Sequence, residues 1–186
     1  MPFVSRAGNK LQFALSQFNM LVKDLICADF GSSTGGFVDC LLQEGAKKVY
    51  SVDTAYGELA WKLRKDPRVM VMERTNAMHV VLPEKVDFIS IDVGWTKQKH
   101  VLPNAFNNLK DEGLIVSLIK PHYEIGKGRV KEEEMEKILK KVQEEIGLVG
   151  GKVEKIVESP ILGEQGKNRE FLALIRNVRA SIEFLA

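Results

Sequence analysis

Asp29-Phe30-Gly31-Ser32-Ser33-Thr34-Gly35-Gly36-Phe37 joins the apolar run Leu25-Ile26-Cys27-Ala28 to Val38-Asp39-Cys40-Leu41-Leu42, whose apolar spacing suits a helix. A glycine-rich link between such runs is a strand-to-helix turn. Glycine there admits backbone conformations closed to other residues, and the free amides of a helix start point at whatever lies in front of them. Two readings stand at this point: a turn that only packs, or a cradle for a nucleotide-like ligand.

Downstream, Val49-Tyr50-Ser51-Val52-Asp53 reads as a second strand ending in an acid, about 20 residues beyond the first glycine, where a carboxylate meets ribose hydroxyls or caps the next helix. Tyr56 to Lys65 reads as a helix stopped by Asp66-Pro67, and Val69-Met70-Val71-Met72 as a third strand. The following Glu73-Arg74-Thr75-Asn76-Ala77 puts Asn76 where it suits an adenine edge or an ordinary turn. Val86 to Asp92 makes a fourth strand with a terminal acid. Four strands separated by helices predict an α/β, doubly wound, mostly parallel sheet. In the basic loop from Val93 to His100, Trp95 is either a base-stacking ring or a buried one. Val101 to Leu109 is a helix, Lys110-Asp111-Glu112-Gly113 a turn, and Leu114 to Ile119 a fifth strand running into Lys120-Pro121. Lys120 is either functional or a side chain snorkelling to solvent. His122 to Arg129 reads as a Gly-punctuated basic loop, Lys131 to Ile146 as a charged amphipathic helix, Lys152 to Ser159 as a sixth strand and Asn168 to Ile175 as a last one holding Glu170.

Upstream, residues 1–24 form a helix with Leu11, Ala14, Leu15 and Phe18 on one face and Ser5 as its cap. Arg6 and Lys10, four apart, share a face and read from the residues alone as solvated charges. The chain reads as a single domain over residues 1–186 with a loosely held tail from 177.

Composition bounds the function classes. The 186 residues, 45% hydrophobic and 28% charged, suit one globular domain. No apolar run approaches the ~20 residues of a membrane span, and no signal core precedes the domain, so no membrane partner and a cytoplasmic location are expected. Cys27 and Cys40 read as buried free thiols, and no metal set is present. A net charge of +2 leaves any RNA binding to local basic patches.

The ligand narrows by pattern. No Gly-Lys-Ser/Thr follows the glycines, and Gly31, Gly35 and Gly36 do not make a dinucleotide fingerprint. S-adenosylmethionine suits the set better. Its amino-acid end would meet the turn (Asp29, Gly31, Ser33, Thr34, Gly35, Gly36, Phe37) and Asp92. Its ribose would meet Asp53 and Thr54, and its adenine Asn76 and Ala77.

Several motifs, in order, resemble the TlyA (hemolysin A) branch of the FtsJ-like ribosomal RNA methyltransferases. They are Val4-Ser5-Arg6-Ala7-Gly8-Asn9-Lys10-Leu11, Gly31 through Leu41, Gly45 through Asp53, Leu59-Ala60-Trp61-Lys62-Leu63-Arg64, Glu73 through Ala77, Ile119-Lys120-Pro121 and Ser159-Pro160-Ile161. The resemblance implies a Rossmann-like class I methyltransferase with seven strands, the last antiparallel. It implies S-adenosylmethionine as cofactor, ribosomal RNA or a ribosomal subunit as partner, and 2′-O-ribose methylation. It also implies a catalytic set falling on Lys10, Asp92, Lys120 and Glu170. Lys120 is then expected as the base, its pKa lowered by burial and by Lys10, while Asp92 and Glu170 oppose that shift and orient the amines. Arg6, Lys97, Lys99, Lys127 and Arg129 are expected to meet RNA. Such proteins normally carry an N-terminal S4 domain, whereas this chain begins where the methyltransferase domain does. They also usually have Ser-Phe-Ile-Ser after the acid matching Asp92, where Gly94-Trp95-Thr96-Lys97 stands here. A silent RNA-binding module and a membrane-active hemolysin are the competing readings.

Overall fold

The computed structural model describes residues 2–126, 128–163 and 168–179. The elements run α1 (Ala7–Phe18), β1 (Ile26–Phe30), α2 (Gly36–Gln43), β2 (Lys48–Val52), α3 (Trp61–Arg64), β3 (Val69–Met72) and β4 (Val86–Ile91). They continue α4 (Gln98–Asn108), β5 (Leu109–Ile119), α5 (Pro121–Glu124), α6 (Glu132–Leu148), β6 (Gly151–Glu158) and β7 (Phe171–Asn177). The strands make one seven-stranded sheet in the order β3-β2-β1-β4-β5-β7-β6. β1 to β5 pair in parallel, and β7 lies antiparallel between β5 and β6.

The central strands are apolar on both faces because helices cover both. Phe30, Phe88, Ile89, Ile91, Ile115 and Ile119 are fully buried. One core joins α4 and α6 to the sheet, and the other joins α1, α2 and Leu59 and Leu63 to its opposite face. Strand order reverses at β1, between β2 and β4, the switch point where open α/β sheets hold ligands. Register aligns the strand ends there, with Asp29 opposite Ser51 and Ser90. The acids Asp53 and Asp92 and the lysine Lys120 follow β2, β4 and β5 directly.

Several local expectations change. The helix expected from Tyr56 shrinks to Trp61–Arg64, because Gly57 turns left-handed (φ +82°) and Ala60 is extended, its N–H reaching back to Thr34 O at 3.1 Å. Lys110 to Gly113 is not a turn. β5 begins at Leu109 across a register shift, and Lys110 Nζ pairs with Asp87 at 2.7 Å. α4 starts three residues early because the Glu124 carboxylate accepts Gln98 N–H at 2.9 Å. Pro121, pre-set for a first helical turn, begins the short α5 in what reads as loop. Ser5 does not cap α1: Arg6 is the cap residue and no side chain bonds there. β7 runs through Asn177, and Val178 N–H and Arg179 Nε donate to Gly150 O and Val149 O. The chain is thus held as far as Arg179, and residues 180–186 of the expected tail lie outside the described residues. Burial pushes the Cys27 thiol up to about 12 and raises that of Cys40 as well, so both are inert.

Candidate active site

The turn after β1 is built around Gly31, at φ +87°; a Cβ there would meet the Asp92 carbonyl oxygen at 2.4 Å. Glycine therefore lets the ends of β1 and β4 close on each other. Gly36 does the same for α1, since a Cβ on it would meet Ser5 Oγ at 2.2 Å. Gly35 (φ +95°) faces Leu59 and Leu63 rather than the cleft. Ser33 holds φ +46°, a conformation few non-glycine residues adopt, and its N–H donates to Asp53 Oδ2 at 2.7 Å. Asp53 Oδ1 accepts Ala55 N–H at 2.8 Å, so this acid fixes two turns and keeps only its second lone pairs for a ligand.

In front of this turn lies a cleft of about 1000 Å³ lined by all four expected catalytic residues. Asp29, Gly31, Ser33, Thr34, Gly36, Phe37, Asp53, Thr54, Asn76 and Ala77 line it too. Asp29 is fully buried. Its Oδ1 accepts Ser90 Oγ–H at 2.7 Å, while Oδ2 has no hydrogen-bond partner among the described residues. Burial raises its pKa to about 7, the Ser90 bond opposing and the Asp92 charge adding. An acceptor left so costs about 1–3 kcal/mol. A cationic donor in the cleft would offset that cost, and the ammonium of S-adenosylmethionine is such a donor. Asn76 Oδ1 accepts Met78 N–H at 2.8 Å, so the carbonyl end of that side chain belongs to its own turn.

Two lysine–carboxylate pairs line the cleft. Lys120 Nζ lies 2.6 Å from Asp92 Oδ1, and Lys10 Nζ 2.5 Å from Glu170 Oε2. The second pair is almost wholly buried, 7% and 3% exposed, so Lys10 is no solvated surface charge. α1 aims it inward with Leu11, Ala14 and Phe18, and Glu170 meets it from the residue before β7. The expected lowering of the Lys120 pKa is corrected. Burial does push it down, but the carboxylates of Asp92 and Glu170 and the nearby Tyr123 outweigh burial and hold it raised. Lys10 is neutralised by Glu170 and does not act on Lys120 as a bare charge.

Trp95 is not buried. It is 82% exposed, sits at φ +58°, and stacks on Tyr123 with ring centroids 4.5 Å apart. Tyr123 in turn lies against His122 and under Lys120 Nζ, 5.6 Å from its ring centre. Among the expected RNA contacts, Arg6 lines the cleft and is exposed. Arg129 is exposed beside Gly128, Lys97 precedes α4, and Lys99 pairs with Glu145 of α6 at 3.0 Å, away from the cleft lining. Lys127 lies outside the described residues.

A model of the FtsJ-like methyltransferases matches residues 3–175. The chain belongs to that family. Among its FtsJ-like relatives, the Bacillus subtilis protein YqxC, which carries an rRNA methyltransferase name, is 41% identical over 91% of this chain and 64% of its own length. The 16S/23S rRNA (cytidine-2'-O)-methyltransferase TlyA of Mycobacterium tuberculosis is 44% identical over 69% of this chain and 49% of its own. This chain thus spans just under two-thirds of the first and about half of the second. A solved structure from Streptococcus thermophilus, titled a hemolysin, superposes with a TM-score of 0.91 at 40% identity, covering 96% of this chain and 68% of that one. Among the described residues, no helix is long and apolar enough to cross a membrane. Sequence reasoning missed three features of this FtsJ-like site: Ser90, which holds Asp29, and His122 and Tyr123, which line the cleft. Ser90 faces Asp29 only through strand register. The other two follow Lys120-Pro121 immediately, the one signal available.

Proposed function

We propose that the chain methylates a ribose 2′-hydroxyl of ribosomal RNA with S-adenosylmethionine as donor. The observation that carries this reading is the meeting, at one sheet edge, of a buried carboxylate oxygen behind a glycine turn with two lysine–carboxylate pairs. The printed name of the M. tuberculosis relative supports the 2′-O position and the ribosomal substrate. The reading places the action in the cytoplasm, on ribosomal RNA or a subunit.

When bound, S-adenosylmethionine supplies an electrophilic methyl group. Asp29 Oδ2 would accept a hydrogen bond from its ammonium, and Gly31, Ser33, Thr34, Gly36 and Phe37 of the turn would hold its amino-acid end. Asp53, beside Thr54, would accept hydrogen bonds from its ribose hydroxyls through the remaining lone pairs, and Asn76 and Ala77 would hold its adenine. Lys120 holds the 2′-hydroxyl in line and takes its proton. It starts as an ammonium, raised by Asp92, so the neutral amine forms only after a proton leaves and transfer quickens as pH rises. Asp92 orients that amine. Lys10, held by Glu170, donates to the 2′-oxygen or the neighbouring phosphate. Arg6, Lys97 and Arg129 meet the RNA backbone, and the outer face of Trp95 stacks on a base splayed from the fold.

Lys120→Arg tests the reading, because arginine keeps the pair with Asp92 and does not deprotonate. Single-turnover transfer to undermethylated ribosomal subunits is expected to fall about 100-fold or more, with calorimetric cofactor affinity within about twofold of wild type. Undiminished transfer by Lys120→Arg removes Lys120 as base. No transfer by the wild type to either subunit removes the whole reading.

A further inference from the structure

Lys120 follows the last residue of β5, where the sheet supports that strand on one side only. β7 pairs with β5 as far as Ile119, opposite Phe171, but β4 pairs with it only as far as Ser117, opposite Ile91. Beyond that point Gln98, the first residue of α4, takes the place of a strand. Gln98 is 2% exposed, and both ends of its amide are used: Oε1 accepts Ser117 Oγ–H at 2.6 Å, and Nε2 donates to Leu118 O at 3.3 Å. Its backbone N–H donates to Glu124 Oε1 at 2.9 Å. Glu124 closes α5, and its own N–H and that of Tyr123 donate to Lys120 O at 3.2 and 2.9 Å. Gln98 thus grips the chain on both sides of Lys120. The connection that ends at Gln98 begins at Asp92, which meets Lys120 Nζ at 2.6 Å, so it touches the lysine segment at both of its ends.

Two buried polar side chains at one junction are costly, and a network whose members are satisfied fixes a single arrangement. Glu124 is not even fully satisfied: it is 6% exposed, and its Oε2 has no hydrogen-bond partner among the described residues. Burial raises its pKa and Glu145 adds to the rise, while the Gln98 N–H, Lys97 and Lys99 oppose it. A leucine at 124 would avoid that cost but release Gln98. We propose that Gln98 and Glu124 are positioning residues for Lys120, clasping the chain on both sides of this lysine so that its amine stays against Asp92 and in line with the ribose hydroxyl. The consequence for methyl transfer rests on the methyltransferase reading; the hold on the lysine does not.

In-line displacement tolerates little movement of the base: a misplacement of about 1 Å caused from outside the reacting groups can slow a reaction about 100-fold. The proton affinity of the amine depends on the same placement. Burial lowers the Lys120 pKa, and Asp92 after β4, Glu170 before β7 and Tyr123 of α5 outweigh it. His122, also of α5, feels the lysine charge in turn. Asp92 and Tyr123 belong to the two clasped segments. Opening the clasp therefore lets the amine drift from both, lowers its pKa and takes it out of line.

Gln98→Leu combined with Ser117→Ala tests the proposal, because removing both side-chain partners leaves the core apolar rather than unmet. Glu124→Leu opens the other arm alone and serves should the double variant fail to fold. The first measurement needs no RNA: in crystal structures of these variants, Lys120 Nζ is expected to leave Asp92, to beyond about 4 Å. The second is single-turnover transfer to ribosomal subunits across about pH 6–10, with cofactor affinity read by calorimetry. Transfer is expected to fall about tenfold or more and to level off at lower pH than in the wild type, with cofactor affinity within about twofold. Glu124→Gln, which keeps an oxygen for the Gln98 N–H, is expected to recover most of the rate lost in Glu124→Leu. An Asp92–Lys120 pair of wild-type length in the variants overturns the proposal. So does a wild-type rate, or a rate lowered equally at every pH, which marks a merely structural loss. Should the wild type transfer no methyl group at all, the methyltransferase reading fails, while the crystal structures still decide whether the clasp holds the lysine.

Discussion

Replacing Asp29 with asparagine perturbs the candidate cofactor cradle at a fully buried carboxyl. Its carboxyl moves from an ordinary 3.8 to about 7 on burial, a rise of roughly 3 units, or about 4 kcal/mol at 1.36 kcal/mol per unit. The sign follows from proton counting. The folded protein keeps the Asp29 proton up to about pH 7, whereas the unfolded chain gives it up near 3.8. Stability from this group therefore declines as pH rises from about 4 to about 7 and is flat above, by up to roughly 4 kcal/mol in all. The substituted side chain would still accept from Ser90, but its amide leaves a buried donor unmet at about 1–3 kcal/mol. Asp29→Asn should thus be the more stable protein at pH 8 by about 1–3 kcal/mol, a Tm higher by roughly 2–12 °C. It should also bind S-adenosylmethionine at least about tenfold more weakly, for want of the carboxylate that meets the ammonium. The wild type, in contrast, should release up to one proton on binding at pH 6 and bind more tightly as pH rises toward 8. Calorimetry in buffers of different ionisation enthalpy reads the proton count, and thermal melts read stability. A wild-type slope of stability between pH 4 and 7 in Asp29→Asn, or binding at pH 6 with no proton released, refutes the assignment.

Two further perturbations bear on the rest of the cleft. Lys10→Met strands the Glu170 carboxylate, 3% exposed, and should cost about 3–5 kcal/mol, or roughly 6–20 °C in Tm; adding Glu170→Leu should return most of that loss. A double variant no more stable than Lys10→Met would mean that the loss does not come from a stranded Glu170 carboxylate. Trp95→Ala removes an exposed side chain from a left-handed residue, so melting should shift by only about 1 kcal/mol or less, while affinity for ribosomal RNA drops about fivefold or more. Equal RNA affinity in a filter-binding titration would take Trp95 out of the interface.

The sheet was legible because its strands are short apolar runs ending in polar residues, and the glycine turn with Asp53 pointed to the switch point. The motif match then placed Lys10, Asp92, Lys120 and Glu170 in one cleft although 160 residues separate the first from the last. What the sequence hid depends on long-range contacts. Whether Lys10 was a solvated charge or a buried partner turned on Glu170, which no local pattern ties to it. The shortening of the helix after Tyr56 turned on the Ala60-to-Thr34 hydrogen bond, and the early start of α4 on Glu124, each against a local spacing that read differently. The state of Lys120 was misjudged for the same reason. Burial alone argues for a lowered pKa, and the 2.6 Å approach of Asp92, with Glu170 and Tyr123 adding to it, reverses the sign. Trp95 is exposed at a positive φ, a backbone state that residue type predicts against.

Mapping of ribose methylation in ribosomal RNA from cells with and without the protein tests the central claim most directly. The account predicts at least one 2′-O-methyl group that disappears with the protein and returns with the wild-type chain but not with Lys120→Arg. An identical ribose methylation map in both cells would contradict it.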